Sequence, residues 1–301
     1  MIVLTADVGG TNTRVAITDG DERLVELAGP GAAVRPGRAL ASATIVAGLM
    51  RSALAQARLF RADAAVIGAA GAGRAGDAED LRAALAGERV ADRVLVVSDV
   101  ALAFEALGID VAVVLVAGTG SVAIGRAPGG ASVRQGGYGW QMGDEGGGYW
   151  IGQQALRAAG LAHDGRGPAT TILTALMQSA GAETFRDLVG WSTVASAREV
   201  AGLSRAVVSE AALGDAVATR ILDQAAAALA QLVNQLARQF GSASAVPVGF
   251  TGGLVGPNGP LKPRVAALID RPFAPEAAAL DPLVGGPRLA RQDGDRNPIR
   301  L

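Results

Sequence analysis

The sequence predicts an α/β protein that contains two units of similar organisation. Through residues 1–108, short runs of β-branched and aliphatic residues alternate with alanine-rich helical patterns, which is typical of a sheet covered by helices. A strand, a Gly-Thr turn and a second strand occur near residue 10 and again near residue 119. This recurrence indicates a duplicated device.

The elements of the first unit follow from its turns and periodicities. Residues 2–8, 13–18 and 23–27 are predicted strands, because Gly-Gly and Asp-Gly dipeptides separate them and Asp-Gly is a strong hairpin signal. The alanine-rich pattern of residues 38–59 predicts a helix. The segments "AAVIGAA", "DAEDLRAALAG", "RVLVVSD" and "VALAFEALG" then predict strand, helix, strand and helix. The first unit is therefore predicted as three strands followed by αβαβα.

The second unit is predicted to begin with a strand, a turn and a strand over residues 111–127. Residues 149–239 have an almost entirely helical pattern, and a buried strand is predicted at residues 246–250. The charged tail "RQDGDRNPIRL" is expected to fray.

Composition excludes several classes of protein. The 301 residues carry a formal net charge of −1 without a run of basic residues, so we expect no nucleic-acid partner and no anionic membrane surface. The chain has no cysteine and a single histidine, His163, which excludes disulfides, thiolate metal sites and cysteine nucleophiles. The start "MIVLTADVGG" lacks a basic leader, and no apolar run approaches the roughly 18 to 20 residues of a membrane span. We therefore expect a cytoplasmic protein.

The two Gly-Thr turns are candidate phosphate-binding sites. Such turns expose backbone N–H groups, and their hydroxyls add further donors. The first turn consists of Gly9, Gly10, Thr11, Asn12 and Thr13, and the second of Gly118, Thr119, Gly120 and Ser121. Asp7 ends the strand before the first turn, where a carboxylate can meet the hydrated Mg²⁺ that accompanies phosphates. Two hairpins can bind one polyphosphate from both sides, although an ordinary hairpin with a solvated Asp also explains the first segment alone.

Other glycine-rich nucleotide-binding motifs are either absent from the chain or weakly supported. No G-x-x-x-x-G-K-[ST] sequence occurs, which excludes a Walker-type phosphate loop. Residues 71–76, "GAGRAG", satisfy G-x-G-x-x-G after a strand and before a helix, but a lone match in a chain with 42 glycines is weak support for dinucleotide binding.

Asp99 lies where a predicted strand ends and a helix begins. Its structural interpretation is a helix N-cap. Its functional interpretation is a general base, because a carboxylate at the carboxyl end of a strand can accept the proton of an attacking hydroxyl. Both roles can coexist.

The segment "GGYGWQMGDEGGGYWIG" is typical of a sugar-binding loop. Its carboxylates can accept hydrogen bonds from vicinal hydroxyls, and its aromatic rings can supply a flat wall. The candidate substrate residues are Gly137, Trp140, Asp144 and Glu145. A flexible acidic loop is the alternative. Further along, Gly252 and Gly253 would let a flat adenine approach the backbone, although turn chemistry explains them equally well.

Six segments of the chain occur in the order and spacing of a known family. They are "DVGGTNTR", "SDVALAF", "AGTGSVAIGR", "GGYGWQMGDEGGGYWIG", "GFTGGLVG" and "DPLVGGPRLA". On these motifs the sequence resembles the BadF/BadG/BcrA/BcrD-type ATPase family, and within it the bacterial glucosamine kinases and N-acetylglucosamine kinases. The resemblance implies the actin-like, Hsp70-like and sugar-kinase fold: two ribonuclease H-like α/β domains with ATP and substrate in the cleft between them. We expect one domain at residues 1–108, joined by a C-terminal helix at about 281–292, and a second at 109–280 with a helical insertion.

The resemblance also implies an activity, the transfer of the γ-phosphoryl group of MgATP to the 6-hydroxyl of glucosamine or N-acetylglucosamine. Asp99 would be the base and Asp7 would lie near Mg²⁺, while the two hairpins would bind the phosphates. Gly252 and Gly253 would belong to the adenosine motif. Asp144, and with less support Glu145, would hold sugar hydroxyls.

One departure leaves the sugar open. These kinases usually carry a substrate-contacting Asn shortly after the first hairpins, whereas this chain has no Asn between Asn12 and Asn234. The handling of the C2 substituent is therefore undetermined. The absence of cysteine excludes the activators of 2-hydroxyacyl-CoA dehydratases, which share the fold and hold a cluster through cysteine.

Other classes of function remain as alternatives. An ATP-hydrolysing conformational switch that acts on a protein partner predicts ATP turnover without sugar. A non-catalytic sugar or nucleotide sensor is disfavoured by the presence of both Asp7 and Asp99. The helix-rich surface of residues 150–240 could bury a homodimer interface, although no residue pattern identifies one.

Overall fold

A computed structural model of the protein describes residues 1–73, 75–109, 112–129, 132–240, 245–270, 273–275 and 280–292. By contacts between Cα atoms the chain divides into two units. Unit 1 comprises the described residues within Met1–Val114, Ile124–Val133 and Leu280–Leu301, and unit 2 those within Leu115–Ala123 and Arg134–Ala279. The domain boundaries expected at residues 108 and 280 stay predictions.

Unit 1 contains a five-stranded sheet and its covering helices. In chain order the elements are β1 (Ile2–Val8), β2 (Asn12–Asp19), β3 (Glu22–Pro30), α1 (Ala39–Gln56), β4 (Ala62–Ala69), α2 (Ala75–Gly87), β5 (Ala91–Ser98) and α3 (Asp99–Leu107). The strand order is β3-β2-β1-β4-β5, with β1 antiparallel to β2 and parallel to β4. The predicted arrangement of three strands followed by αβαβα is confirmed.

The two faces of β1 have different environments. Leu4, Ala6 and Val8 belong to a buried apolar cluster that also contains Met50 of α1. Because side chains alternate along a strand, Asp7 lies on the opposite face, which contacts α3 and the C-terminal helix. This alternation places a carboxylate at the carboxyl end of β1 on the face away from α1.

A second five-stranded sheet contains β6 (Ala112–Ala117), β7 (Ser121–Arg126), β8 (Ser132–Gly136), β9 (Val246–Thr251) and β10 (Phe273–Pro275). Its strand order is β10-β9-β6-β7-β8. If the strands of each sheet are numbered one to five in chain order, both sheets have the spatial order 3-2-1-4-5. In the second sheet this order runs from β8 to β10. The repeat that the Gly-Thr turns indicate therefore extends to all five strands.

Helices occupy most of the chain between β8 and β9, as predicted. They are α4 (Gly148–His163), α5 (Ile172–Ala180), α6 (Phe185–Val194), α7 (Ala197–Gly202), α8 (Ser204–Ala212), α9 (Ala216–Asn234) and α10 (Ala237–Phe240); α11 (Lys262–Ala266) follows β9. Local capping explains several starts. Thr184 and Asp187 form a capping box for α6, and Ser196 and Glu199 form one for α7.

The last elements of the described part of the chain are a short 3₁₀ helix (Pro282–Val284) and α12 (Gly285–Arg291). Both contact α3 of unit 1. The expected frayed tail from residue 293 onward lies outside the described residues. The strands β8 and β10 were not predicted; β8, "SVRQG", lacks the apolar alternation of a typical strand.

The expectation that no apolar segment approaches the length of a membrane span is wrong for α1. Over 18 residues its mean hydropathy is 1.2, and among the described residues it is the one helix that meets the length and composition criteria for a span. A helix that packs in a protein core has the same composition. Its buried positions in unit 1 are Ser42, Ala43, Val46, Ala47, Met50, Ala53 and Leu54.

Candidate active site

The first Gly-Thr turn links β1 to β2 and has an open tip. The Gly9 N–H donates to the Asn12 carbonyl at 2.9 Å and closes the turn. A Cβ added at Gly10 would meet nothing within 4 Å, so its backbone can be approached. The base of the turn is covered, because the Gly31 N–H donates to the Thr11 carbonyl at 2.9 Å. The turn thus has the unobstructed backbone that phosphate binding requires.

The two polar residues after Thr11 differ in exposure. Asn12 is exposed, whereas Thr13 is fully buried. Among the described residues the Thr13 hydroxyl has no hydrogen-bond partner. Of these two predicted phosphate-turn side chains, only that of Asn12 therefore reaches the surface.

Asp7 lies in an acidic cluster of unit 1. Burial and the nearby Asp99 raise its pKa to about 7, Arg14 opposes this rise, and Asp281 adds to it. The side chain is half-buried. Around Asp7 the cluster carries more negative than positive charge. A bound cation would reduce the electrostatic repulsion between these carboxylates.

Asp99 is the first residue of α3, and its neighbour provides the cap. The Ala101 N–H donates to the Ser98 hydroxyl at 3.1 Å, so Ser98 and not Asp99 is the N-cap. The capping interpretation of Asp99 is therefore wrong by one residue. The carboxylate of Asp99 is half-buried and acts electrostatically on Asp7.

An ion-pair network surrounds this cluster. Arg14, which pairs in register with Asp7, forms ion pairs with Glu26 at 2.7 Å and with Asp281 at 3.1 Å. Arg23 also pairs with Asp281, at 2.6 Å. Arg14 and Asp281 lie within the motifs "DVGGTNTR" and "DPLVGGPRLA", which by themselves indicate no role for either residue. For Arg14, the register of the predicted hairpin, which sets it opposite Asp7, is a sequence signal that could indicate a role at the site. No local pattern gives such a signal for Asp281.

The second Gly-Thr turn, between β6 and β7, is held by the start of α4. The Gly148 N–H donates to the Gly118 carbonyl at 2.8 Å, and the Tyr149 N–H donates to the Thr119 carbonyl at 3.0 Å. These donors are among the four N–H groups that the first turn of a helix leaves without an intrahelical partner. The carbonyl groups of the turn and the N–H groups at the start of α4 therefore satisfy each other's hydrogen-bonding requirements.

Asp144 and Glu145 have different environments in unit 2. The Gly139 N–H donates to Asp144 Oδ1 at 3.3 Å. Burial raises the pKa of the Asp144 carboxyl, although hydrogen bonds from the backbone of Gly139 and Ser121 lower it. Glu145 is exposed, and its main-chain carbonyl accepts the Ser121 hydroxyl at 2.8 Å.

The aromatic part of the loop is partly exposed. The ring of Trp140 lies 4.8 Å from that of Tyr149 and is tilted relative to it, and Trp140 is 47% exposed. Arg134 donates to the carbonyls of Gly136 and Gly137. Gly137 has φ of +74°, a left-handed conformation that glycine adopts without steric strain.

Packing explains one of the two glycines after β9. Gly252 has φ of +95°, and a Cβ there would collide with the Ala117 carbonyl of β6. A Cβ at Gly253 would meet nothing within 4 Å. The backbone at Gly253 can therefore be approached by a ligand. At Gly252 a glycine is required by the positive φ and by the close contact with Ala117.

The G-x-G-x-x-G match also has a packing explanation. Gly71 has φ of +90°, and a Cβ there would collide with the Val34 carbonyl; residue 74 lies outside the described residues. The single histidine, His163, is exposed and stacks on Phe185 with ring centroids 3.9 Å apart.

The structure thus brings the predicted residues together within each unit. In unit 1 the first turn follows Asp7, and Asp7 interacts with Asp99. In unit 2 the second turn contacts both the Asp144 loop and the start of α4. Within the described part of the chain, no group of three or more His, Cys, Asp or Glu side chains could hold a metal ion by itself.

Comparison with known proteins identifies similar chains. The model of the family described as the BadF/BadG/BcrA/BcrD ATPase family matches residues 6–271. The N-acetyl-D-glucosamine kinase of Dictyostelium discoideum is 33% identical over 187 residues, which are 59% of this chain and 58% of that one. The N-acetylmuramic acid/N-acetylglucosamine kinase of Clostridium acetobutylicum is 34% identical over 172 residues, 56% of each chain. The chain thus spans somewhat more than half the length of these curated relatives.

A solved structure supports the fold. A Chromobacterium violaceum protein proposed to be an N-acetylglucosamine kinase has a TM-score of 0.78 and 23% identity, over 96% of this chain and 98% of that one. At 23% sequence identity, this similarity supports the fold and carries no conclusion about function. The expected actin-like α/β fold, with two five-stranded sheets, is confirmed.

Proposed function

This chain belongs to the BadF/BadG/BcrA/BcrD ATPase family, and we propose that it is an ATP-dependent sugar kinase. The proposed reaction transfers the γ-phosphoryl group of MgATP to the 6-hydroxyl of an amino sugar, glucosamine or N-acetylglucosamine. The observation that carries the proposal is that Asp7, near the end of β1, and Asp99, directly after β5, lie at the carboxyl ends of parallel strands of one sheet, where β1 enters the first Gly-Thr turn. A phosphate turn, a metal-binding carboxylate and a base are the parts that phosphoryl transfer requires.

The names of the relatives support a sugar as the acceptor. Both curated relatives are named as kinases of N-acetylated amino sugars. The absence of Asn between Asn12 and Asn234 leaves the C2 substituent of the sugar open.

Asp7 fits a role toward Mg²⁺. Mg²⁺ in nucleotide sites is usually held by one or two carboxylates together with phosphate oxygens, so a cluster of protein ligands is not needed. The raised pKa of Asp7 marks a place where further positive charge is favourable. When bound, Mg²⁺ would neutralise charge on the phosphates.

Asp99 is proposed to act as the base. As the sugar oxygen bonds to the γ-phosphorus, its proton passes to the Asp99 carboxylate, the bond from the γ-phosphorus to the bridging oxygen breaks, and ADP leaves. Because Ser98 caps α3, the Asp99 carboxylate is not needed as the cap.

The remaining predicted residues are proposed to bind the substrates. The turns of residues 9–12 and 118–121 would bind the phosphates, whereas the buried Thr13 would not contact them, and Gly252 and Gly253 would lie by adenosine. Asp144 and Glu145 are candidate acceptors for sugar hydroxyls, and Gly137 and Trp140 would form the wall beside the ring. We further propose a cytoplasmic location, because the reaction consumes ATP, and a homodimer built on the helix-rich surface.

The test is ADP release from MgATP in the presence of glucosamine, N-acetylglucosamine, N-acetylmuramic acid, glucose or no sugar. We expect one amino sugar to stimulate release strongly. With that sugar, Asp99→Asn should lower the rate about 10²- to 10⁴-fold. Asp92→Asn is the matched control, because Asp92 lies exposed on β5, the strand that leads into Asp99, and pairs with Arg61.

Two results would contradict the proposal. ADP release that is equally fast without sugar would favour the alternative, an ATPase that acts as a switch on a protein partner. An Asp99→Asn rate within about tenfold of the wild-type rate would remove Asp99 from the role of base.

A further inference from the structure

The segment of residues 31–38, which follows β3, crosses the carboxyl edge of the first sheet. The Ala32 N–H donates to the Gly9 carbonyl of the first turn at 3.1 Å, and the Val34 N–H donates to the Ala70 carbonyl, directly after β4, at 2.8 Å. In the sheet β4 lies between β1 and β5 and is parallel to both. The segment therefore leads from the phosphate turn towards β5, along the edge that carries the two carboxylates proposed for the metal and the base.

Side chains of this segment alternate between the core and the surface. Ala32 and Val34 are only 5% and 3% exposed and belong to the apolar cluster that contains part of α1. Ala33 is half-buried and Arg35 is exposed, as expected where successive side chains of an extended chain point in opposite directions. The packing of Ala32 and Val34 therefore directs the Arg35 side chain away from the core.

A tight turn holds a second arginine beside Arg35. In the sequence Arg35-Pro36-Gly37-Arg38 the Arg38 N–H donates to the Arg35 carbonyl at 2.9 Å, and Gly37 has φ of +69°. Proline at the second position and glycine with positive φ at the third are typical of a type II turn, whose first and last Cα atoms lie less than about 7 Å apart. The turn thus places two exposed arginines next to each other at the start of α1.

No acidic residue lies near these arginines in the sequence. Residues 27–62 contain neither Asp nor Glu. Within the described part of the chain, neither of the two guanidinium groups forms an ion pair or a hydrogen bond, whereas Arg14 and Arg23 of the adjoining β2 and β3 both form ion pairs. Two like charges on one turn repel each other, and an anion bound by both would offset this repulsion.

We propose that Arg35 and Arg38 form an anion subsite for the acceptor, which selects an amino sugar that carries a carboxylate. This inference rests on the proposed function and narrows its substrate class. Guanidinium groups bind carboxylates through paired hydrogen bonds, whereas the ammonium group of glucosamine would be repelled by both arginines. N-acetylmuramic acid has the required carboxylate together with a 6-hydroxyl, and N-acetylglucosamine is its neutral counterpart.

The test compares two acceptors that differ by one acidic group. The kcat/KM for phosphorylation is measured with N-acetylmuramic acid and with N-acetylglucosamine, at saturating MgATP, for the wild type, Arg35→Gln and Arg38→Gln. We expect the wild type to prefer the acid. Each variant should lower the ratio of the two kcat/KM values about tenfold or more, the usual effect of losing a hydrogen bond between charged groups.

Two further variants separate charge from geometry. Arg35→Lys keeps the charge but loses the planar fork, so the ratio should fall less than in Arg35→Gln. Replacing both arginines, as Arg35→Glu with Arg38→Glu, reverses the charge of the subsite. This double variant should lower the KM for glucosamine relative to that for N-acetylglucosamine.

The control is Arg58→Gln. Arg58 is exposed and belongs to the same stretch without acids, but it follows the other end of α1, about 27 Å away along an 18-residue helix. Its substitution removes one positive charge far from the proposed subsite. The ratio for this variant should equal that of the wild type.

Each outcome has a distinct meaning. If no sugar stimulates ADP release, the proposed function is overturned and this inference with it. If a sugar stimulates release but the wild type prefers glucosamine or N-acetylglucosamine to the acid, or the ratio is unchanged in both arginine variants, the inference alone is overturned. A KM for MgATP that rises equally with both sugars would assign the arginines to the nucleotide and would also overturn it. Because both acceptors are measured on the same protein, a partial loss of folded protein leaves the ratio unchanged.

Discussion

Asp7 costs the folded protein stability in the absence of ligand. Its carboxylate is half-buried at the end of β1, and burial together with Asp99 raises its pKa to about 7, against the influence of Arg14. A group whose pKa is higher in the folded state keeps a proton that the unfolded chain has already released. The free energy of unfolding therefore falls as the pH rises between the two pKa values, from about 4 to about 7.

We expect Asp7→Asn to stabilise the ligand-free protein. The gain should be clearly smaller at pH 5 than at pH 8, grow with pH and level off above about pH 7, because the neutral amide avoids the charge that folding disfavours. The measurement is the difference in Tm between variant and wild type at pH 5 and pH 8. Asp92→Asn, an exposed carboxylate on β5, serves as the control. A gain that is equal at both pH values would contradict the assignment.

At the scale of elements, helix starts are held by specific side chains. Asp215 precedes α9, and its carboxylate accepts from the N–H groups of Val217 and Ala218 at 2.9 and 2.8 Å. It also accepts from Thr170 and Thr171 at 2.7 Å each. Partial burial raises its pKa, but these hydrogen bonds outweigh it and lower the pKa to about 2. One carboxylate thus joins the start of α9 to the segment before α5.

We expect Asp215→Ala to lower the free energy of unfolding by about 1 to 2 kcal/mol at pH 7, the usual cost of a lost N-cap. The contribution of a carboxylate with a lowered pKa is present above the unfolded value and disappears as the pH falls towards 2. The difference between wild type and variant should therefore shrink between pH 4 and pH 2. Denaturant unfolding at pH 7 and pH 3 checks this. Asp215→Asn, which keeps a capping oxygen, should lose less, and an equal loss in both variants would argue against the capping explanation.

At the scale of the whole molecule, the first and last parts of the chain complete one unit. A Cβ on Gly286 of α12 would collide with Thr5 of β1, and one on Gly285 would collide with the Leu102 carbonyl of α3. Arg288 donates to the carbonyls of Glu105 and Ala106 at 2.8 Å each. Unit 1 therefore depends on residues more than 180 positions away from α3.

We expect a chain that ends before Leu280 to lose the cooperative unfolding of unit 1, because β1 and α3 lose the helix that covers them. Hydrogen exchange of the β1 and β4 amides would detect this as faster exchange than in the full chain. A chain that ends at Gln292 is the control, because it keeps the contacts of α12. Unchanged protection in the shorter chain would show that unit 1 is stable without α12.

Some site features could be predicted from the sequence and others could not. The turns, Asp7 and the position of Asp99 at a strand end were predictable, because Gly-Thr turns and strand ends leave local signals. The cap of α3 was misassigned, because Ser98 and Asp99 are adjacent and both residue types favour N-caps. The association of Asp281 with Asp7 was not predictable, because 274 positions separate them and no local pattern specifies such a pair.

By itself the sequence determined the order of most elements, the two turns and the family. These depend on interactions between residues close in the chain, whose periodicity and turn chemistry are visible in the letters. The tertiary structure decided what each polar group bonds to. It assigned the Asp144 carboxylate to the backbone N–H of Gly139, left Glu145 exposed, and formed β8 and β10 from segments without a strand pattern. Hydrogen bonds between distant segments form only when folding brings their partners together, and this is why the sequence alone could not assign them.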